Sequence, residues 1–152
     1  MGLGDTAAAV GKGLFAGAAG TAAMTVSSTL EAKLRDRGSS SAPADAAGKV
    51  LGVQPRDEAG EARFSNIVHW SYGTSWGAVR GLLHAAGVDG SAATALHFSA
   101  VWGGAQVMLP ALDVAPPAWE TPVQEVAIDA LHHAVYAIAT GVAFAALQRG
   151  SS

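Results

Sequence analysis

The residues of this chain with chemical reach are five histidines and a few acids set in largely apolar sequence. Glu125, Asp129, His132, His133, Tyr136 and Thr140 recur at helical spacing and fall in one stripe. Val126, Ala127, Leu131, Ala134, Ile138 and Val142 lie opposite. In water a polar stripe faces solvent. In lipid it must face the bundle interior or a wet cavity, where ionisable groups are candidates for binding or proton transfer. Glu125, in the first turn, either joins that set or simply complements the helix dipole.

Three further helical stretches carry candidates. Glu31 shares a face with Gly20, Met24 and Ser27 or Ser28, so it either points inward or pairs with Arg35 one turn on. Asn66 and His69 share a face with Gly73 and Gly77; His69 either enters the site or bonds a backbone carbonyl or serine across a helix interface. His97, near a helix start, reads as interfacial, and His84, beside Gly87, reads as a surface residue. The leading set is therefore Glu31, His69, Asp129 and His133, with His132, Asn66 and Glu125 around it, as a proton relay or as ligands of a metal ion. Carboxylates and histidines suit either role because burial and pairing move their pKa values. The Asp129-x-x-His132 spacing matches the i, i+3 ligand pairs of bundle metal sites, but no second helix offers Glu-x-x-His, so a dinuclear centre is not indicated.

The elements that must position these groups are four long helices, at about 8 to 36, 58 to 86, 91 to 112 and 122 to 148. Gly38-Ser39-Ser40-Ser41 ends the first, Gly87-Val88-Asp89-Gly90 reverses the chain, and Pro110 and Pro116-Pro117 interrupt the third. Thr121-Pro122-Val123-Gln124 predicts an N-cap at Thr121 with a capping box. Pro43 to Leu51, followed by Gly52, predicts a short extra helix in the first connection. The 152 residues suit one domain.

Half of the residues are hydrophobic, 14% are charged, and the mean hydropathy is +0.28. Together with segments of about 20 residues or more, this predicts an all-α, four-helix transmembrane bundle in a lipid bilayer. Gly13, Gly17 and Gly20 on the first helix, and Gly73, Gly77 and Gly81 on the second, form rows that let helix backbones approach closely. Such rows suit packing within the bundle or a homo-oligomer. Trp70 and Trp119 suit an aromatic belt, while Trp76 and Trp102 suit packing on glycine rows. Lys33, Arg35, Arg37, Lys49, Arg56 and Arg63 place the first connection in the cytoplasm, against Lys12, Arg149 and a snorkelling Arg80 opposite. Lys12 precedes an apolar stretch that runs to Leu34, which reads as a retained span rather than a cleaved signal. A net charge of -3 offers no field for nucleic acid, and the absence of cysteine excludes disulfides and thiolate chemistry.

The run Ser65-Asn66-Ile67-Val68-His69-Trp70-Ser71-Tyr72-Gly73, the pair Pro116-Pro117, and Glu125-x-x-x-Asp129-x-x-x-His133-Ala134-Val135-Tyr136 resemble the YagU-like family of small bacterial inner-membrane proteins of unknown function. The resemblance covers about residues 8 to 148. It implies a multi-pass inner-membrane location, with His69, Asp129 and His133 matching the family's polar pattern, and it supplies no reaction. The leading expectation is a non-enzymatic membrane protein whose ionisable interior binds or conducts protons, a metal ion or a small polar solute. A membrane assembly subunit, and an enzyme acting on a lipid or quinone-like substrate, are the alternatives.

Overall fold

A computed structural model describes residues 2–38 and 40–150, and every regular element in them is helical. They are α1 (Leu3–Leu34), α2 (Ala42–Leu51), α3 (Glu58–Ala85), α4 (Gly90–Ala111) and α5 (Val123–Arg149), with one 3-10 turn at Ala118–Glu120. Ser39, part of the expected terminator of the first helix, lies outside the described residues, as do both ends of the expected single domain.

Local chemistry sets most boundaries. Asp57 caps α3, its carboxylate accepting from the Gly60 N–H at 2.7 Å. Gly52 closes α2 in the left-handed region (φ 66°), and Gly87 and Gly90 (φ 81° and 61°) turn the chain between α3 and α4. The start of α5 differs from the expected capping box. Pro122 is the N-cap, and the Thr121 hydroxyl donates instead to the Pro117 carbonyl at 3.2 Å, so that side chain is committed to the preceding turn.

Helix α1 is the centre of the bundle. It packs most extensively on α3 and then on α5, and α4 covers α5. Contacts of Gly13 with Gly77 and of Thr25 with His69 make α1 and α3 antiparallel; Lys12 with Gln148 and Ser27 with His132 do the same for α1 and α5. The α1–α3 seam is made of backbone. A Cβ on Gly17 would stand 2.7 Å from the Thr74 carbonyl oxygen, and one on Gly77 would stand 2.7 Å from the Gly17 Cα, so neither position admits a side chain. The glycine rows are thus occupied by packing inside the chain; Gly103 of α4, which belongs to neither row, stands in open space.

The packing is inverted relative to a water-soluble core. The buried residues of the long helices are mainly Gly and Ala with Thr21, Arg80, His97, Val101, His132, Tyr136, Thr140 and Phe144. Large apolar side chains stand outside, among them Phe15 (76% exposed), Val107 (72%) and Val142 (65%). Soluble domains concentrate Leu, Ile, Val and Phe in the interior. By length and composition alone, α5 is the one described helix that qualifies as a membrane span; the other long helices carry more glycine, and α1 and α3 more charge.

Candidate functional site

Polar side chains run along the inside of the bundle from one end to the other. At one end, Glu31 of α1 accepts from Arg35 at 3.1 Å and also pairs with Arg37, while Arg35 reaches across to Glu125 of α5. Hydrogen bonds from Arg37, and then from Arg35, hold the Glu31 carboxyl down at about 2 against the desolvation that opposes them. The same contacts raise Arg35, chiefly through Glu125, and Arg37, chiefly through Glu31. Both readings of Glu31 are therefore present in one residue: it pairs with Arg35 and it turns inward, 3.7 Å from His132 Nε2.

His132 is buried, with Nδ1 2.8 Å from the Ser27 hydroxyl. A turn further in, His69 of α3 meets the Thr25 hydroxyl at 2.8 Å. Next, the Tyr136 hydroxyl donates to the Gly73 carbonyl at 2.6 Å, and His97 of α4 packs its ring on Tyr136 with centroids 5.5 Å apart. His97 Nε2 donates to the Trp76 carbonyl at 3.0 Å. Beyond them Arg80 lies over the Phe144 ring at 4.4 Å, and Lys12, His84, Asp89 and Gln148 close the far end. From Glu125 to Gln148 the α5 side of this file spans roughly 35 Å at 1.5 Å per residue.

Asp129 occupies a separate place, the crevice between α4 and α5. Trp102 Nε1 donates to it at 2.9 Å and Gln106 Nε2 at 3.2 Å. His133 Nδ1 donates to the Asp129 backbone carbonyl at 2.8 Å and stands 3.4 Å from the carboxylate. The four leading candidates are thus divided: Glu31 goes with His132, His69 with Thr25, and Asp129 with His133. Among the described residues no three His, Asp or Glu side chains gather as metal ligands. The physical reason is rotation along α5. His132 faces α1, whereas Asp129 turns toward α4 and His133 folds back on Asp129, so one stripe in sequence serves two interfaces.

Other expectations are corrected. Asn66 is exposed; a three-residue step leaves it about 60° around the helix from His69. His97 is not interfacial but fully buried, on the inward row of Ala93, His97, Val101 and Ala105. His84 is not a free surface residue: it bonds Asp89 at 2.7 Å and packs edge-on to Phe144. Trp102 packs on Phe98 and serves Asp129 rather than a glycine row, whereas Trp76 does lie against Gly104. Arg80 does not snorkel outward but is 3% exposed. Trp102 and Gln106 escaped sequence reasoning because nothing at their spacing marks them as partners of an acid on another helix.

No protein-family model, curated protein or solved structure matches this chain.

Proposed function

We propose that the chain is a small integral membrane protein whose four long helices span the bilayer and whose interior file handles protons or small polar species. The observation that carries this is the inverted packing: small and polar residues fill the inside while Phe15, Val107, Leu131, Ile138 and Val142 face out. An exterior of that kind favours lipid and would be a large apolar exposure in water. Interior ionisable groups then become functional candidates rather than solvated decoration. The resemblance of its motifs to YagU-like proteins adds a multi-pass inner-membrane placement to this proposal. At 32 residues, α1 is about 48 Å long, more than the roughly 30 Å of hydrocarbon. Its last turn, with Glu31, therefore stands at the interface together with Arg35 and Arg37.

Protons suit the file better than a metal ion does, since its protonatable groups are strung along the helices rather than gathered at a point. Ser27, His132, Thr25, His69 and Tyr136 each offer a donor or acceptor to the interior. Partition tests the first half: the protein should stay with alkaline-washed membranes and need detergent, and monodisperse recovery without detergent would refute it. Proteoliposomes carrying a trapped pH dye test the second. Proton flux that falls at least tenfold in His132→Gln supports the relay, and flux equal to that of empty vesicles refutes it.

A further inference from the structure

Three side chains are layered at the charged end of the file. Arg37, Glu31 and His132 grow more covered in that order, being 36%, 14% and 8% exposed. Glu31 Oε2 has two claimants: Arg37 Nη2 bonds it, and His132 Nε2 stands 3.7 Å from it. Arg37 Nε also donates to Oε1 at 3.0 Å, so the guanidinium fork takes both oxygens. His132 Nε2 is buried and has no hydrogen-bond partner among the described residues. A buried polar atom left unpaired is costly, and the carboxylate oxygen that faces this one is already engaged.

The chain brings Arg37 to Glu31 by leaving the helix. Had α1 continued, Arg37 would lie about 9 Å further along the axis and off the Glu31 face. Instead Asp36 takes the left-handed conformation (φ 51°), which few residues besides glycine accept, and the Arg37 N–H returns to the Ala32 carbonyl at 3.0 Å. This turn carries the Arg37 side chain back to Glu31. Its other hydrogen bond runs to the adjacent Gly38 carbonyl at 3.1 Å, inside the same turn. Arg35, by contrast, is tied across to Glu125 of α5 and gives Glu31 a single bond, to Oε1. Arg37 is therefore the group whose departure frees Oε2.

We propose that Arg37 gates the interior file: it holds Glu31 Oε2, and a proton passes from Glu31 to His132 only when Arg37 releases that oxygen. Water at the mouth supplies the proton to Oε2. The O–H bond then breaks, its electron pair stays on the carboxylate, and an N–H bond forms at His132 Nε2 while Nδ1 keeps its hydrogen on the Ser27 hydroxyl. Arg37 is thus a positioning residue that acts through Glu31. Its hydrogen bond is also the largest influence keeping the Glu31 carboxyl ionised, so the closed gate leaves Oε2 both occupied and without a proton. This rests on the proposed proton file and supplies its regulation.

The test measures proton and potassium flux side by side in proteoliposomes of the full chain. Arg37→Gln should raise proton flux by roughly threefold or more, since each unit recovered by the Glu31 carboxyl is a tenfold gain in its protonated fraction. Arg37→Lys, which keeps the charge but cannot hold both oxygens, should fall between Arg37→Gln and wild type. Potassium leak should not change, and adding His132→Gln to Arg37→Gln should return proton flux to the level of His132→Gln alone. High salt on both sides should raise wild-type proton flux, because Arg37 is partly exposed, and leave Arg37→Gln unmoved. A conducting wild type with no gain in Arg37→Gln, a gain that survives His132→Gln, or one matched by potassium leak would each overturn the gate and leave the file standing. Wild-type flux no greater than that of empty vesicles would instead overturn the file, and the gate with it.

Discussion

The two faces of α1 solve the same problem in opposite ways. Toward α3 the helices touch backbone to backbone, with Gly13 and Gly17 against Gly77 and Gly81. Toward α5 close approach is confined to Gly20, packed on the Tyr136 carbonyl and Thr140, and elsewhere side chains meet: Ser27, Glu31 and Lys12 with His132, Glu125 through Arg35, and Gln148. Glycine removes the side chain, so the first seam gains dispersion over a long surface but has no chemistry of its own. Outside Gly20 the second seam gives up close approach and gains donors and acceptors. Stability and reactivity are thus segregated onto two sides of one helix. Even the exceptions fit: where the α1–α3 seam opens toward the end of the glycine row, Thr25 and His69 appear.

The comparison breaks most visibly if the glycine seam is filled. Gly77→Leu drives a side chain into the α1 backbone and should cost about 3 kcal/mol or more, the upper end of overpacking. Val142→Leu, on an exposed position of α5, is the control and should change little. Ala137 would make a poor control, since it is 1% exposed. Equal thermal stability of the Gly77→Leu and Val142→Leu variants would remove the distinction between the two faces.

A smaller loss is expected in the α4–α5 crevice. Asp129→Ala strands the Trp102 and Gln106 donors, which should cost about 2 kcal/mol, while Asp129→Asn keeps an acceptor and should cost less. Denaturant midpoints under one set of conditions rank the two variants, and an Asn variant less stable than the Ala variant would contradict the donor account. Smaller again is Tyr136→Phe. It removes the 2.6 Å hydrogen bond that ties α5 to the Gly73 carbonyl and should cost about 1 kcal/mol, since that carbonyl lies within α3 and keeps its helical surroundings.

The helices were legible because their punctuation is chemical: Gly52, the Gly87 to Gly90 turn and the prolines before α5 are each explained by one residue's backbone preference. The glycine rows were legible for the same reason, since absence of a side chain at helical spacing has one structural use. The site was legible only in part. Glu31, His69, Asp129 and His133 stand out by residue type, but which neighbour each one meets depends on helix rotation, which sends His132 to Ser27 of α1 and Asp129, three residues earlier, to Trp102 of α4. Partners with no charge, such as Ser27, Trp102 and Gln106, carry no periodic signal at all. His97 was misplaced because nearness to a helix start says nothing about which neighbours cover it.

The finest test of the contrast lies at the charged end, where the α1–α5 face meets water. Arg37 and Arg35 hold Glu31 at about 2, below its ordinary 4.5. A carboxyl whose folded pKa is depressed stabilises the fold fully above its unfolded value, and that contribution fades as pH falls from about 4.5 through about 2. The difference in Tm between wild type and Glu31→Gln should therefore be constant above about pH 5 and shrink toward zero at pH 2. Added salt should also reduce it, because the arginines are partly exposed. Gly77→Leu, acting through steric contact alone, should show the same loss at every pH and salt concentration. A Glu31→Gln difference as flat as that of Gly77→Leu would mean that the charged end is held by packing, and the division between an inert face and an ionisable face of α1 would not reach that far.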